Sequence, residues 1–400
     1  MFKRGISYRA FSVLKLIKYH SKMAEICICN TLWTLTSFCM VFLLYKFTSI
    51  FVCTLSSGLL LVFLFIFICD NSSHDNYCLR RGLFGSCLAA AGALAFGAIA
   101  TGLQYGYTTS TCYFNECCDY NWISPNITGL ALQLNKKLYG QHLVIGPVVK
   151  HLRGHVEGHP QKATVLSLHG LPGTGKNLLS RMVAENMYVK GMDSKYVHIL
   201  SATKDFPHEN MLEEYKEKLK LEIETAGKEC PRSLFIVDEM DKLLPGLIDT
   251  IRPYIDYYNH VDGIDYRQVL YFLLSNTGGD AIAEHVLLNS DQGKDRRKLS
   301  LKEMEEVVRM ASFNDTNGLM HSSIVKNSLI TAYVPFLPLE RVHVERCIVD
   351  GLFAKGFYEY EYQVDQETVG AIANELLYFP NDTRLLSTTG CKRVMEKIDL

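Results

Sequence analysis

The sequence has almost no net charge, because its 41 lysines and arginines are balanced by 42 aspartates and glutamates. A nucleic-acid-binding domain usually carries a basic excess that attracts the phosphate backbone. The balance therefore argues against nucleic acid as a partner. The chain also contains no internal repeat and no low-complexity linker, and its 400 residues are enough for two or three compact units with a sizeable core.

A zinc-ligand pattern is missing as well, although the sequence holds 13 cysteines. Cys112, Cys117 and Cys118 lie close together in CYFNECC, but no clear second pair of ligands follows at a suitable spacing. If this segment lies in an oxidising lumen, disulfides are the better interpretation. Sequons for N-glycosylation support a secretory compartment only mildly, since such tripeptides are common by chance. They occur at Asn71, Asn126, Asn314 and Asn381.

Charge is absent from residues 47–69, an apolar run long enough to cross about 30 Å of hydrocarbon as a helix. The basic residues ahead of it predict a cytosolic N-terminus, with the rest of the chain on the far side. Three interpretations stay open for residues 1–79: a transmembrane anchor, a cleaved signal peptide with a long basic leader, and a chain start that differs from the natural one. A second uncharged stretch, residues 82–115, is rich in alanine and glycine. This stretch could lie in one leaflet, insert as a hairpin or pack as an ordinary helix, and we expect residues 80–120 to associate with a membrane monotopically.

The chain takes on the pattern of a globular α/β domain over residues 121–339. Apolar, β-branched runs alternate there with longer helical patterns, which predicts a parallel sheet covered by helices on both faces. Residues 340–400 are predicted to form a smaller, mainly helical domain. The predicted strands are 164–169, 196–200, 233–237, 269–275 and 331–336, and the predicted helices include 178–189 and 211–226.

A glycine-rich loop, GLPGTGKN, lies between the first of these strands and a helix. This order is the context of an ATP-binding P-loop. Gly170, Gly173 and Gly175 let backbone N–H groups converge on phosphate oxygens, and the start of the helix favours an anion. Lys176 is predicted to reach the β- and γ-phosphates. The predicted nucleotide-binding residues are Gly170, Leu171, Pro172, Gly173, Thr174, Gly175, Lys176, Asn177 and Asp238.

The residue after the P-loop lysine departs from the general pattern, since Asn177 stands where Ser or Thr normally ligates Mg²⁺. Its amide oxygen would ligate the ion or bind one of its waters. The alternative is a degenerate loop that binds nucleotide without cleaving it.

An apolar strand that ends in two carboxylates argues for cleavage. Asp238 is predicted to hold the Mg²⁺ shell, and Glu239 to orient or activate water. Asn276 ends the next apolar strand. It is predicted to be sensor 1, a polar residue beside the γ-phosphate, with a turn or a helix N-cap as the alternative.

Four segments together resemble the torsins, of the torsin-1 type: GTGKN in the P-loop, DEMDKL at 238–243, VPFLPLE at 334–340 and GCK at 390–392. The likeness extends from about residue 83 to residue 400. It implies an AAA+ ATPase with a Clp-like fold that binds ATP and Mg²⁺ in the lumen of the endoplasmic reticulum and nuclear envelope. It also implies a chaperone-like role in remodelling proteins or membranes.

The resemblance assigns further roles to single residues. Lys392 would be sensor 2, and Cys391 beside it would respond to redox state with Cys347 as its partner. Cys230 is expected to pair with Cys117 or Cys118. The chain departs from the family where Leu171 and Pro172 replace Trp-Thr in the P-loop, and residues 1–79 have no counterpart in the family pattern.

An arginine finger is missing from the place where Clp-type ATPases carry it. Aligning FLPL at 336–339 with the family pattern puts Leu329 there. Because such an arginine is worth roughly 10³–10⁵ in rate, a homo-oligomer alone should hydrolyse ATP very slowly. The resemblance implies partners that supply it: the lumenal domains of inner-nuclear-membrane and endoplasmic-reticulum activator proteins. Glu375 and Leu376 lie in the helical region that would meet the activator, with an ordinary surface helix as the alternative.

The leading hypothesis is therefore an activator-dependent ATPase. No convincing aromatic pore loop follows the strand at 196–200, which argues against peptide threading. The second hypothesis is an ATP-gated binding module that switches partners with negligible turnover. A kinase is disfavoured, because sensor and small-domain features continue to the C-terminus.

Overall fold

The computed structural model describes residue 112, residues 115–314 and residues 322–399. The predicted anchor within residues 1–79, the sequon at Asn71 and nearly all of residues 82–115 lie outside these residues, as does the side chain of Asn314. No helix in the described part is both long and apolar enough to span a membrane. The predicted domain boundaries after residues 79, 120 and 339 stay predictions.

Five parallel strands form the central sheet, in the order β2-β3-β4-β1-β5. They are β1 (Thr164–His169), β2 (Val197–Ser201), β3 (Leu234–Asp238), β4 (Leu270–Ser275) and β5 (Ala332–Pro335). Every residue of β1 and β4 is buried, as expected for central strands covered on both faces. The predicted parallel sheet is confirmed, and each predicted strand differs from the observed one by at most one residue at either end.

Helices flank this sheet on both faces. In the described residues up to β5 they are α1 (Ile127–Lys137), α2 (His142–Glu157), α3 (Lys176–Met187), α4 (Ala202–Asp205), α5 (Leu212–Glu229), α6 (Arg252–Ile255), α7 (Gly279–Asp291), α8 (Leu301–Asn314) and α9 (Ser323–Lys326). Alternate strand residues build one core on each face. Leu166 and Phe272 pack with α1, α2 and α3, whereas Val165 and Tyr271 share the other core with α5.

Helix α3 begins two residues earlier than predicted, at Lys176. Gly175 precedes it with a φ of 111°, in the left-handed region that favours glycine. Lys176 and Asn177 therefore belong to the first turn of a helix, so a regular element fixes their positions. Helix α5 also runs further than predicted, to Glu229.

A separate apolar core lies within residues 339–398. It is built around α10 (Arg341–Ala354), α11 (Gln366–Asn374) and α12 (Val394–Ile398). A two-stranded antiparallel ribbon of β6 (Tyr378–Phe379) and β7 (Leu386–Ser387) lies between α11 and α12 in the chain. The predicted helical C-terminal region is confirmed, but the sequence did not predict the ribbon, because two-residue strands are too short to show an alternating pattern.

Candidate nucleotide-binding site

The P-loop connects β1 to α3 at the carboxyl end of the sheet. Thr174 donates its hydroxyl to the carbonyl of Leu171 at 2.8 Å, which closes the loop on itself. Gly173 has a φ of 74°, and a Cβ there would overlap the carbonyl oxygen of Thr389. Only glycine allows this close approach. The loop is therefore held in one shape by its own contacts and by the C-terminal region.

Lys176 lies almost completely buried among oxygen atoms. Its Nζ donates to the carbonyls of Gly170 at 2.6 Å and Leu171 at 3.1 Å, and to Oδ1 of Asn276 at 3.1 Å. Burial lowers the pKa of Lys176 to about 8, and the carboxylates of Asp241 and Asp238 oppose this shift. An ammonium group held in this way is ready to exchange neutral acceptors for phosphate oxygens, which bind it more strongly.

Asn177 and Asp238 meet across the start of α3 and the end of β3. The Asn177 amide Nδ2 donates to Asp238 Oδ2 at 2.8 Å, and Asp238 Oδ1 accepts from the backbone N–H of Glu239 at 2.8 Å. Nucleotide-bound Mg²⁺ is usually held by one or two carboxylates, phosphate oxygens and waters. A carboxylate with an amide beside it at the P-loop fits that requirement. Asn177 is thus placed where its amide can help to hold the metal shell.

Glu239 is held by three side chains. Its carboxylate accepts hydrogen bonds from the Thr203 hydroxyl, from Ser201 Oγ at 3.3 Å and from Lys242 Nζ at 2.5 Å. The hydrogen bonds from Lys242 and then Thr203 lower the pKa of Glu239 below its ordinary value. These three donors use most of the carboxylate's roughly four acceptor sites and compete with a water for it. Glu239 is therefore charged and restrained.

Asn276 follows β4 and connects the two sides of the site. Its backbone N–H donates to Asp241 Oδ1 at 2.9 Å, while its amide oxygen accepts from Lys176. Sequence reasoning missed Asp241 as well as Thr203 and Lys242. Asp241 and Lys242 stand inside the DEMDKL segment, and Thr203 follows the strand next to β3, so neighbouring motifs carried a usable signal.

The C-terminal region reaches the P-loop through the GCK turn. The backbone N–H of Cys391 donates to the Gly173 carbonyl at 3.0 Å, and Cys391 forms a disulfide with Cys347 of α10. The side chain of Lys392, the predicted sensor 2, is exposed. The expected cysteine pair is present, and it links α10 to the phosphate loop.

Other predicted residues fall in different surroundings. The second disulfide joins Cys230 to Cys118 and not to Cys117, which is itself disulfide-bonded. Leu329 is buried in the core that α5 shares, with 2% of its surface exposed. Glu375 is exposed, whereas Leu376 is only 3% exposed, so Glu375 is the one of the pair that a partner could reach, and the contact with an activator stays a prediction. The Leu376 side chain packs in the C-terminal core.

Two predicted glycosylation residues are exposed. Asn126 caps α1, with its Oδ1 accepting from the N–H of Gly129 at 2.8 Å, and Asn381 follows β6. Exposure is compatible with a glycan at either residue, and occupancy stays a prediction.

The fold and this site together define a P-loop ATPase of the AAA+ class. Family models described as Torsin and as Torsin-1A, C-terminal domain match residues 112–237 and 339–400. A torsin-like protein of Caenorhabditis elegans is 39% identical over 305 residues, covering 76% of this chain and 85% of the relative. One from Drosophila melanogaster is 33% identical over 306 residues, covering 76% and 89%. The chain therefore belongs to the torsin family, as its motifs predicted.

Solved structures of Hsp104 are similar to this chain. The S. cerevisiae Hsp104–ADP complex aligns with a TM-score of 0.48 and 19% identity, over 68% of this chain and 46% of that chain. This chain thus spans about half the length of Hsp104.

Proposed function

We propose that this protein hydrolyses ATP with Mg²⁺ when a partner supplies an arginine finger. One observation carries the proposal: Lys176, Asn276, Asp241, Asp238 and Glu239 lie together at the carboxyl ends of β1, β3 and β4. Bringing a phosphate-binding cation, a metal-binding carboxylate and a candidate base to one edge is what phosphoryl transfer to water requires.

The residues of this site have distinct roles in the proposed reaction. Lys176 binds the β- and γ-phosphates, and Asp238 with Asn177 would hold the metal shell. Glu239 orients the attacking water and accepts its proton. Asn276 and Lys392 contact the γ-phosphate as sensors 1 and 2. Mg²⁺, when bound, would neutralise the charge that develops on the transferred phosphoryl group.

The need for a partner follows from Leu329. At the place predicted for the arginine finger the chain has a buried apolar side chain, which carries no charge and packs in the chain's own core. A homo-oligomer would therefore lack an arginine from this position. We propose that lumenal domains of inner-nuclear-membrane or endoplasmic-reticulum activator proteins provide it.

An oxidising compartment is supported by the disulfides Cys118–Cys230 and Cys347–Cys391, since such bonds are rare in the cytosol. We place the protein in the lumen of the endoplasmic reticulum and nuclear envelope, associated with the membrane through residues 80–120. Its role there would be chaperone-like remodelling of proteins or membranes.

Phosphate release from the purified full chain tests the proposal in three mixtures: alone, with an activator lumenal domain, and with that domain after its finger arginine is changed to alanine. We expect stimulation of roughly 10³-fold or more by the intact domain only. Glu239→Gln should abolish the stimulated rate while ATP still binds. Equal stimulation by the arginine-free domain would overturn the arginine-finger proposal.

A second function, an ATP-gated binding module, is favoured by one observation. Glu239 is engaged by Thr203, Ser201 and Lys242, which suits a site that binds nucleotide without turning it over. No Glu239-dependent phosphate release in any of the three mixtures, combined with ATP-dependent binding of the activator domain, would favour this module.

A further inference from the structure

Gln141 lies just before α2, outside the P-loop, yet its side chain is only 1% exposed and contacts that loop. Its Nε2 donates to the carbonyl of Thr174 at 3.0 Å and to the carbonyl of Leu337 at 2.8 Å. Its Oε1 accepts from the backbone N–H of Leu337 at 2.9 Å. Both amide donors and the amide oxygen are therefore used.

The chemistry of these partners requires a primary amide at residue 141. Two carbonyl oxygens need donors and one N–H needs an acceptor, so the partners also fix which way the amide points. Glutamate would set a carboxylate against two carbonyl oxygens. Methionine has a similar shape but would leave all three backbone groups without this partner, and asparagine is one methylene shorter.

The two backbone segments that Gln141 joins have different roles. Thr174 belongs to the P-loop, and Leu337 lies in the connection between β5 and the C-terminal helix α10. Arg296 holds the same connection from the other side. Its Nη1 donates to the Pro338 carbonyl at 2.6 Å and its Nη2 to the Gly140 carbonyl at 3.0 Å. Gln141 is thus a direct hydrogen-bonded contact between this clamped connection and the phosphate loop, beside the close approach of Phe336 to Gly170.

The geometry of the peptide bond explains how the hydrogen bond from Gln141 to Thr174 influences the nucleotide site. The carbonyl of Thr174 and the N–H of Gly175 belong to one planar trans peptide, so they point in opposite directions. Holding the Thr174 carbonyl therefore fixes the direction of the Gly175 N–H. Backbone N–H groups of this loop are the groups that cradle phosphate.

We propose that Gln141 is a positioning residue that sets the P-loop for phosphate and couples it to the connection leading to the C-terminal domain. The proposal rests on the proposed function for the identity of the ligand. A shift of Leu337 moves the Gln141 amide, which in turn moves the Thr174–Gly175 peptide. Movement of the C-terminal domain therefore changes the affinity for the nucleotide.

The test compares Gln141→Met, Gln141→Glu and Gln141→Asn with Gln133→Met in the full chain. Gln133 is a half-buried glutamine on α1 that bonds to Asn186, away from the loop. The readouts are the Kd for MgATP and hydrogen exchange of the peptide containing Thr174. We expect Met and Glu to weaken MgATP binding about tenfold or more, because buried backbone groups lose their partners. Gln141→Asn should lie between these variants and wild type, and Gln133→Met should match wild type.

Hydrogen exchange separates positioning from general stability. A positioning role predicts faster exchange in the P-loop peptide, with β3 and α5 peptides unchanged. Wild-type affinity and P-loop exchange in the folded Met and Glu variants would overturn the inference, and so would a uniform rise in exchange. If these variants do not fold, Arg296→Lys tests the same connection: it should weaken MgATP binding less strongly, and unchanged affinity would also overturn the inference. Failure of the wild type to bind MgATP would instead remove the proposed function.

Discussion

The phosphate side and the acidic side of the candidate site differ in how far the free protein already prepares them for ATP. On the phosphate side, the P-loop is fixed by Thr174, by Gln141 and by the GCK turn, and Lys176 already lies in its concave face. On the acidic side, the carboxylate of Glu239 is occupied by neighbouring donors. The comparison teaches that binding and cleavage are prepared separately: the phosphate side is already shaped for a ligand, whereas on the acidic side neighbouring donors compete with water for the Glu239 carboxylate.

The largest expected effect comes from removing the phosphate-side cation. Lys176→Ala should weaken MgATP binding about a hundredfold or more, since each charged hydrogen bond is worth about 1.5–3 kcal/mol. Lys162 is a matched control, because it precedes β1, binds the carbonyls of Ala163 and Leu329, and also has its pKa lowered to about 8 by burial. Lys162→Ala should leave the calorimetric Kd unchanged. Equal losses in both variants would mean that the phosphate side is not the binding side.

Loss of the proton from Lys176 should also weaken MgATP binding, by an amount that increases with pH. Its pKa in the free protein is about 8, and phosphate favours the charged form. Raising the pH through this value therefore weakens MgATP binding, by about tenfold per pH unit above it, whereas binding is flat below it. Lys176→Arg stays charged and should flatten the curve. Identical pH profiles for the two proteins would assign the titration to another group.

Breaking the Cys347–Cys391 bond should change affinity by less. Cys347→Ser frees the GCK turn, which contacts Gly173, and we expect a shift in MgATP Kd of about fivefold or less. Cys230→Ser breaks the Cys118–Cys230 disulfide and should lower the melting temperature without moving the Kd. If the second variant alters affinity as much as the first, the C-terminal contact with the P-loop has no special role.

The smallest expected effect lies on the acidic side. Lys242→Met removes one donor from Glu239 and should raise the unstimulated hydrolysis rate by up to about fivefold, since an exposed pair is worth at most about 1 kcal/mol. Lys216 pairs with Glu213 at the same spacing on α5, so Lys216→Met is the matched control. A fall in rate after Lys242→Met would show that Lys242 assists Glu239 instead of restraining it.

The sequence predicted the parts of the site that follow from the order of motifs and strands along the chain. The P-loop glycines, Lys176 and the Asp238–Glu239 pair lie at the ends of strands whose apolar character is clear from composition, so their meeting at one sheet edge followed from the fold class. The contact of Ser201 with Glu239 and the contacts of the Gln141 amide were not predictable in the same way. Those contacts involve Ser201 at the end of β2, Leu337 after β5 and Gln141 before α2, whose relative positions depend on three-dimensional packing and leave no periodic signal. The burial of Leu376 was missed for a similar reason, because a single apolar residue at the end of a short helix does not reveal which way it faces.

The Cys118–Cys230 disulfide has a consequence for the order in which the molecule is made. Its two cysteines are separated by 112 residues, and that interval contains the whole P-loop, β1 and β2. During synthesis Cys118 must wait until this entire stretch has left the ribosome before its partner exists. Cross-linking so long a loop lowers the entropy of the unfolded chain by an amount worth about 4–5 kcal/mol. The bond therefore can form once the P-loop has been synthesised, before Asp238, Glu239 and Asn276 follow in the chain.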